Sequence, residues 1–406
     1  MKSYLTLDDV NTKGLRVLVR ADLNVPLHEG VITDNSRLVR LLPTLEELIQ
    51  KGAQVVLISH FGRPKGTPNP EFSLKPVIEK LKSLLPHANL IFSEDYETVP
   101  PLNSGDILVL ENLRFHAGEE KNDMDFAKTL SAFGDIYVND AFSASHRAHA
   151  SIEAITHYLP SYAGRLMQEE LEALGKALGN PERPLMAIVG GSKVSSKLAL
   201  LLNLIEKVNI LAIGGAMANT FLKAQGQSIG ASLVEDNLLE TAQNIMIKAQ
   251  EKGCQILLPL DVIVAERIEV LTTSRIVSLH DIQPQDMILD IGALSRDNIA
   301  EYLGNAKTLL WNGPLGVFEV PPFDQGTTIV AQVAAKLTKS GYLLSVAGGG
   351  DTVAALNHAK VFSDFSYVST AGGAFLEWLE GRELPGVASL KRSFGRSTNT
   401  VVPSFN

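Results

Sequence analysis

A chain of 406 residues is longer than one hydrophobic core usually serves, so two domains are expected. Its 45% hydrophobic and 20% charged residues fit an ordinary globular protein and exclude a disordered or fibrous one. The formal charge of −9 argues against nucleic acid as the main partner, and no apolar run is long enough to span a bilayer.

The N-terminus, Met1–Asp9, reaches acidic residues too early for a secretory signal. The single cysteine, Cys254, leaves no intrachain disulfide; it suits a reducing cytoplasm and reads as a small buried apolar side chain. Along the chain, apolar β-branched runs alternate with segments of helical period, the pattern of repeated βαβ units. Strands are expected at Val17–Val19, Val55–Ile58, Leu90–Phe92, Ile107–Leu110 and Ile136–Val138. A second series is expected at Met186–Val189, Ile210–Ile213, Ile256–Leu258, Ile288–Ile291, Thr308–Trp311, Leu343–Val346 and Tyr367–Ser369. Their near-continuous apolar character indicates parallel sheets covered on both faces. Ser36–Gln50, Asp123–Ala132, Asn237–Gln250 and Asp324–Leu337 read as amphipathic helices.

Between the two series, Leu166, Leu171, Leu174 and Leu178 recur at helical spacing, and Gly179-Asn180-Pro181 ends the segment. This helix either joins two domains or lies on one continuous sheet. The last stretch, Lys391–Asn406, is polar and lacks helical period, so an extended or mobile tail is expected there.

The two series of strands end differently. Up to residue 150 the apolar runs lead into Arg20–Pro26, Ser59–Pro64 and Glu111–His116, rich in arginine and histidine. Beyond residue 185 they lead into Gly190-Gly191, Gly214-Gly215, Gly348-Gly349-Gly350 and Gly372-Gly373. Ligands of open α/β sheets sit beyond the carboxyl ends of the strands. Both halves are acidic, −5 over residues 1–164 and −4 beyond, so the arginines are local features. Arg20, Arg37, Arg63, Arg114 and Arg147 recur beside strand ends or helix starts. Gathering several guanidinium groups is costly unless a multiply charged anion neutralises them. Asp22 and Asn24 are placed to accept from a substrate hydroxyl or to orient the arginines, and His60 and His149 add donors.

In the glycine half, Leu185–Lys197 runs from strand through glycine turn into helix, without the spacing of a Walker A loop. Glycine admits a phosphate close to the backbone, and a helix start offers free N–H groups. Lys193 and Lys197, four apart, are expected on one helical face directed at the glycine turn, one holding a nucleotide phosphate and the other the moving group. Ser345–Thr352 repeats the pattern, with Asp351 suited either to cap the helix or to hold Mg²⁺. Trp311–Glu319 ends a strand in a Gly-Pro loop, where Glu319 is placed to accept from ribose hydroxyls. An anion site facing a phosphate site suggests phosphoryl transfer.

Together these segments resemble the phosphoglycerate kinases over essentially the whole chain. The motifs Arg20–Pro26, Asp34–Arg37, Ser59–Pro64, Glu111–His116, His146–His149, Gly190–Lys197, Gly214–Phe221, Trp311–Glu319 and Gly348–Thr352 occur in family order. The resemblance implies an α/β protein of two Rossmann-like domains with mostly parallel sheets, joined by a helical hinge and closing over an interdomain cleft. Residues 1–170 would bind 3-phosphoglycerate and residues 171–387 the nucleotide, with 388–406 folded back on the first domain. It implies reversible Mg²⁺-dependent direct transfer between 1,3-bisphosphoglycerate and ADP in glycolysis, by a cytoplasmic monomer without nucleic-acid or membrane partners. The glycerate would fall to Asp22, Asn24, Arg37, His60, Phe61, Gly62, Arg63, Arg114 and Arg147. The nucleotide would fall to Lys193, Lys197, Asn312, Glu319, Gly349, Gly350, Asp351 and Thr352, with Asp351 towards the metal. Arg37 and Lys197 would flank the transferring group. Ala21 and Phe61 are minor departures from the common family wording; Ala371, Phe375 and Arg165 bear on a phosphate loop and on hinge packing.

Two other classes compete. A fold-retaining binding protein would first lose the transfer residues, yet Arg37, Lys197 and Asp351 remain. A dinucleotide-dependent oxidoreductase would want G-x-G-x-x-G in its first βα turn, which is missing.

Overall fold

Strands that are apolar on both faces must be covered on both faces, and each half of the chain meets that demand with a parallel sheet between layers of helices. The computed structural model describes residues 3–270 and 272–399, with side chains as far as Ser393. Two units result: one takes the chain up to Leu171 and again from Glu383, the other is Glu172–Arg382.

In the first unit the strands are β1 (Arg16–Arg20), β2 (Leu27–His28), β3 (Val31–Ile32), β4 (Gln54–Ile58), β5 (Leu90–Ser93), β6 (Ile107–Leu110), β7 (Ile136–Asn139) and β8 (Ser161–Ala163). Six form one sheet in the order β5-β6-β4-β1-β7-β8, every neighbour parallel, while β2 and β3 make a small antiparallel hairpin. Alternation along each strand sorts the core in two. Val17, Val19, Val55, Leu57, Ile107, Val109 and Val138 pack on one face with Leu38, Leu41, Leu45 and Leu48 of helix Ser36–Gln50. Leu18, Val56, Leu108, Leu110 and Tyr137 pack on the other with Leu130 and Phe133. Each fully buried leucine contributes roughly 1.5–3 kcal/mol over its exposed state.

The second unit contains β9 (Leu185–Val189), β10 (Ile210–Ile213), β11 (Gln255–Leu257), β12 (Asp261–Ala265), β13 (Arg275–Ser278), β14 (Met287–Ile291), β15 (Thr308–Asn312), β16 (Leu344–Gly348) and β17 (Tyr367–Ser369). Its parallel sheet runs β11-β10-β9-β15-β16-β17. One face carries Met186, Ile188, Ala212, Leu309 and Trp311 against Val330, Ala331, Ala334 and Ala335 of helix Gln325–Lys339.

Three expectations change. Ile288–Ile291 joins an antiparallel sheet, β13-β12-β14, not the parallel one. β12 escapes a reading by apolar runs because Pro259 divides one long run, and β13 because its apolar pair Ile276-Val277 is only two residues long, flanked by Arg275 and Ser278, and mostly exposed. The end of the chain is helical, Pro385–Asn399, rather than extended from Lys391. The stripe that drives it lies just upstream, where Val387, Ala388 and Leu390 are buried. This helix rests on the first unit: the Gly386 amide donates to the Ser145 carbonyl at 2.9 Å, and Arg392 pairs with Glu153. Residues 400–406 of the expected tail lie outside the described residues.

Helix Arg165–Leu174, which widens into π-helical Gly175–Gly179, contains the division between the units. Its start is pinned within the first unit. Arg165, the departure near the expected hinge, forms a fork on Glu47 (2.6 and 2.7 Å) and reaches Asp8 at 2.6 Å. Its amide donates to Thr44 Oγ1 at 2.8 Å. Asp140, fully buried at the end of β7, accepts from the Met167 amide at 3.1 Å. Burial pushes the Asp140 carboxyl up to about 6, although hydrogen bonds from Thr44, Met167 and Leu166 pull the other way. An acid raised in this way stabilises the fold fully only below its unfolded value, near 3.8, and that advantage is lost as pH rises through about 6. Asp140→Asn keeps the acceptor oxygen without the charge. Thermal unfolding should find this variant more stable than the parent at about pH 8, on the order of 1–3 kcal/mol, with the gap closing by about pH 4.

Candidate active site

Because all strands of the first sheet run the same way, the loops after β1, β4, β6 and β7 gather at one edge. Asp22 follows β1 and is only 8% exposed. Its Oδ2 accepts from Arg37 Nη1 at 2.6 Å and from Ser143, and its Oδ1 accepts from the Asn24 amide at 3.1 Å. Burial alone would raise this carboxyl. The His60 ring, the Arg37 guanidinium and the bonds from Ser143 and Asn24 bring it below the usual value. Of the two roles open to Asp22, orienting an arginine is the one its contacts display.

Asn24 Oδ1 accepts from the Gly62 amide at 2.9 Å, and Gly62 offers its carbonyl to Arg114 Nη1 at 2.6 Å. Gly62 stands at φ +56°, where a Cβ would meet the Phe72 ring at 2.2 Å, so no other residue fits this turn. Phe61 is buried and held at both amide and carbonyl by Asn112. Arg114 is 5% exposed, with Nε 3.2 Å from Glu120, and burial lowers its proton affinity. His60 stays neutral: burial, then the nearby Arg20 charge, hold its pKa well below the ordinary value. Thus Asp22, Asn24, Arg37, Phe61, Gly62 and Arg114 form one bonded cluster with His60 against it. Arg63 is exposed and bonded to none of them, and Arg147 donates to His146 Nε2 at 3.2 Å. Arg20 leaves the set of converging arginines: its side chain is fully buried and spends its donors internally. His149 is also turned inward, 3.8 Å from Glu119, and burial pushes it down to about 3.

In the second unit, Lys193 and Lys197 do not share a helical face. The helix starts only at Leu198; residues 194–197 form a turn closed by the Lys197 amide on the Val194 carbonyl at 2.9 Å. Lys193 is exposed, whereas Lys197 is half-buried and its Nζ donates to Asn312 Oδ1. Burial draws Lys197 below the ordinary lysine value, opposed by Asp351 and Glu380. Asn312 Nδ2 in turn donates to the Gly348 carbonyl at 2.7 Å, and Thr352 Oγ1 accepts from the Gly313 amide at 2.7 Å. This lattice ties the ends of β15 and β16 to Lys197.

The glycines divide by role. A Cβ on Gly190 would lie 1.8 Å from the Pro314 carbonyl oxygen, so this glycine serves backbone-on-backbone packing rather than ligand approach. Gly350, with nothing within 4 Å of a Cβ, opens helix Gly350–His358 to solvent. Gly349 precedes it, and Asp351 is exposed in the first turn, so Asp351 is not the cap residue. A pocket of about 310 Å³ in this unit is lined by Gly191, Gly215, Leu289, Val317, Glu319 and Asp351 among others. Glu319 and Asp351 both line it. Phe375 is fully buried under Gly348, where a Cβ would touch its ring, so this departure is a packing feature beneath the loop.

The sequence reading missed three supporting groups. Ser143 follows β7, the same strand-end position that flagged the arginines, but a serine carries no charge to mark it. Asn112 opens the Asn112-Leu113-Arg114 turn. Asp290, a carboxylate inside the apolar run Met287–Ile291, borders the pocket and accepts from the Gly326 amide at 2.6 Å; burial pushes it up to about 7.

Among the described residues no three His, Cys, Asp or Glu side chains cluster to hold a metal, and no helix is long and apolar enough to cross a membrane. The model of the phosphoglycerate kinase family matches residues 7–382. The phosphoglycerate kinase of Agrobacterium fabrum is 56% identical over 397 residues, covering 96% of this chain and 99% of that one. That of Chelativorans sp. is 55% identical over 398 residues, covering 97% and 100%. The solved structure of the Coxiella burnetii phosphoglycerate kinase superposes with a TM-score of 0.91 at 43% identity, covering 96% of this chain and 99% of that one. A family match over residues 7–382 and identity of 55–56% across nearly the whole chain mean that it belongs to the phosphoglycerate kinase family.

Proposed function

We propose that the protein transfers a phosphoryl group directly between 1,3-bisphosphoglycerate and ADP, reversibly, giving 3-phosphoglycerate and ATP in glycolysis. The observation that carries this reading is that a guanidinium held by a buried carboxylate and a half-buried ammonium stand at the carboxyl ends of two separate parallel sheets. In this proposal Asp22 and Asn24 position the loops, and His60, Phe61 and Gly62 with Arg63, Arg114 and Arg147 receive the glycerate and its phosphate. Lys193, Lys197, Asn312, Glu319 and the segment Gly349–Thr352 receive the nucleotide.

The acyl phosphate is already activated, so the protein's work is to align donor and acceptor oxygens and balance charge. In the direction of ATP formation, a β-phosphate oxygen of ADP bonds to phosphorus as the bond to the carboxyl oxygen of the glycerate breaks. A direct transfer requires both substrates to meet, and Arg37 and Lys197 would then flank the three equatorial oxygens from opposite sides. Excluding water protects the acyl phosphate from hydrolysis. A carboxyl group is thus the acceptor in the reverse direction.

Mg²⁺ suits the donor set present: it is commonly held by one or two carboxylates plus substrate phosphates, and Asp351 is an exposed carboxylate in the first turn of a helix, lining the same pocket as Glu319. When bound it supplies charge neutralisation to the nucleotide phosphates. We also propose a cytoplasmic monomer.

A coupled assay with 3-phosphoglycerate, ATP and Mg²⁺, with and without chelator, tests the reading; no turnover would overturn it. Arg37→Ala and Lys197→Ala should each lower kcat by roughly 100-fold or more, with smaller changes in the affinity for either single substrate. Unaltered turnover in both would remove the roles given them. Asp351→Asn should raise the Mg²⁺ concentration for half-maximal activity by about tenfold, a loss of roughly 1.4 kcal/mol, and leave the KM for 3-phosphoglycerate in place.

A further inference from the structure

Arg20 cannot meet substrate, since its side chain is fully buried, yet it reaches the candidate site through His60. Its Nη2 lies 3.1 Å from His60 Nδ1, its Nη1 donates to the Ala21 carbonyl at 2.5 Å, and its Nε donates to Ser151 Oγ at 2.8 Å. Ser151 in turn donates from Oγ to Glu119 Oε1 at 2.6 Å, and its amide donates to Glu119 Oε2 at 3.0 Å. Ser151 and Glu119 are both fully buried. The guanidinium is therefore fixed on two sides, with an internal counter-charge one hydroxyl away.

Guanidinium has donors and no acceptor. Where Arg20 faces Nδ1 of His60, that nitrogen must be the acceptor, and the ring proton resides on Nε2. Among the described residues no protein group bonds to Nε2. We infer that Arg20 is a positioning residue, which holds His60 as the neutral tautomer whose Nε2–H donates to bound 3-phosphoglycerate. The inference rests on the function proposed above for its last step only; the tautomer is fixed by geometry within the first unit. The charged groups facing the ring are Arg20, Asp22, Arg37 and Arg114; all three arginines resist protonation of the ring and Asp22 alone favours it, with burial acting in the same sense as the arginines.

The test is a long-range ¹H–¹⁵N correlation spectrum of the whole protein labelled at histidine, with the His60 signals assigned by their loss in His60→Gln. The expected result is a protonated Nε2 and an unprotonated Nδ1, constant from about pH 8 down to about pH 6. A protonated Nδ1, or conversion to imidazolium within that range, overturns the inference whether or not the protein is active. Ser151→Ala, which releases Arg20 from its anchor, should mix the two tautomers and raise the KM for 3-phosphoglycerate about tenfold, with smaller changes in kcat and in the KM for ATP. Wild-type tautomer and KM in that variant would remove Ser151 from the relay. Arg20→Met, which removes every donor facing Nδ1, should abolish the preference for Nε2–H; a folded variant whose His60 spectrum matches the parent's would overturn the assignment. Absence of any kinase activity in the parent would instead count against the proposed function and leave the tautomer result standing.

Discussion

Cations gathered at one sheet edge repel one another, and the buried carboxylates beside them make the arrangement tolerable. Asp22 meets Arg37 at 2.6 Å, and the Asp22 carboxyl is brought below its usual value despite its burial. Glu119 faces Arg20 through Ser151, but there burial outweighs the arginine's charge and raises the carboxyl above its usual value. Removing Arg37 would leave a buried carboxylate without its counter-charge, although the arginine is itself part-exposed and water softens the cost. The loops after β1, β4 and β7 are therefore held by charge from within, and their shape is set before an anion arrives. Neutral His60 belongs to the same logic, because a further positive charge beside Arg20 would be strongly disfavoured.

The second unit solves a different problem by different means. Here the groups that need to approach closely are peptide planes, and bulk rather than charge is what stands in the way. Gly190 and Pro314 lie so close that a single added carbon would collide with a carbonyl oxygen. Asn312 then uses both ends of its amide, one towards Lys197 and one towards Gly348, to hold a lysine and a neighbouring strand end in register. A half-buried ammonium directed by an amide is a more exact electrostatic tool than an exposed lysine such as Lys193.

Much of this could be read beforehand because parallel strands buried on both faces announce themselves as short apolar runs, and residues that follow them share an edge by topology. Arg37, Arg114, Lys197 and Asp351 were visible on that rule. What stayed hidden depended on contacts between residues far apart in the chain. Arg20 follows the same sequence rule as the others, yet it points into the core, and only the partners Ser151 and His60 reveal this. The lysine pair failed because spacing of four implies a shared face only inside a helix, and the chain is still turning at Lys197. The short, exposed strand β13 and the helix after Pro385 escape for a related reason: composition within each segment is a poorer guide than what it packs on.

The return of the chain to its starting unit has a consequence for biosynthesis. Glu172–Arg382 is one uninterrupted stretch, whereas the other unit is sewn from two pieces, the later made only after the whole of the middle stretch. Vectorial synthesis therefore releases a middle segment able to complete itself while the leading portion still awaits Val387, Ala388 and Leu390. Nascent protein must keep that unfinished surface from aggregating until the helix from Pro385 emerges, and a ribosome stalled before that point would carry one mature lobe and one open one.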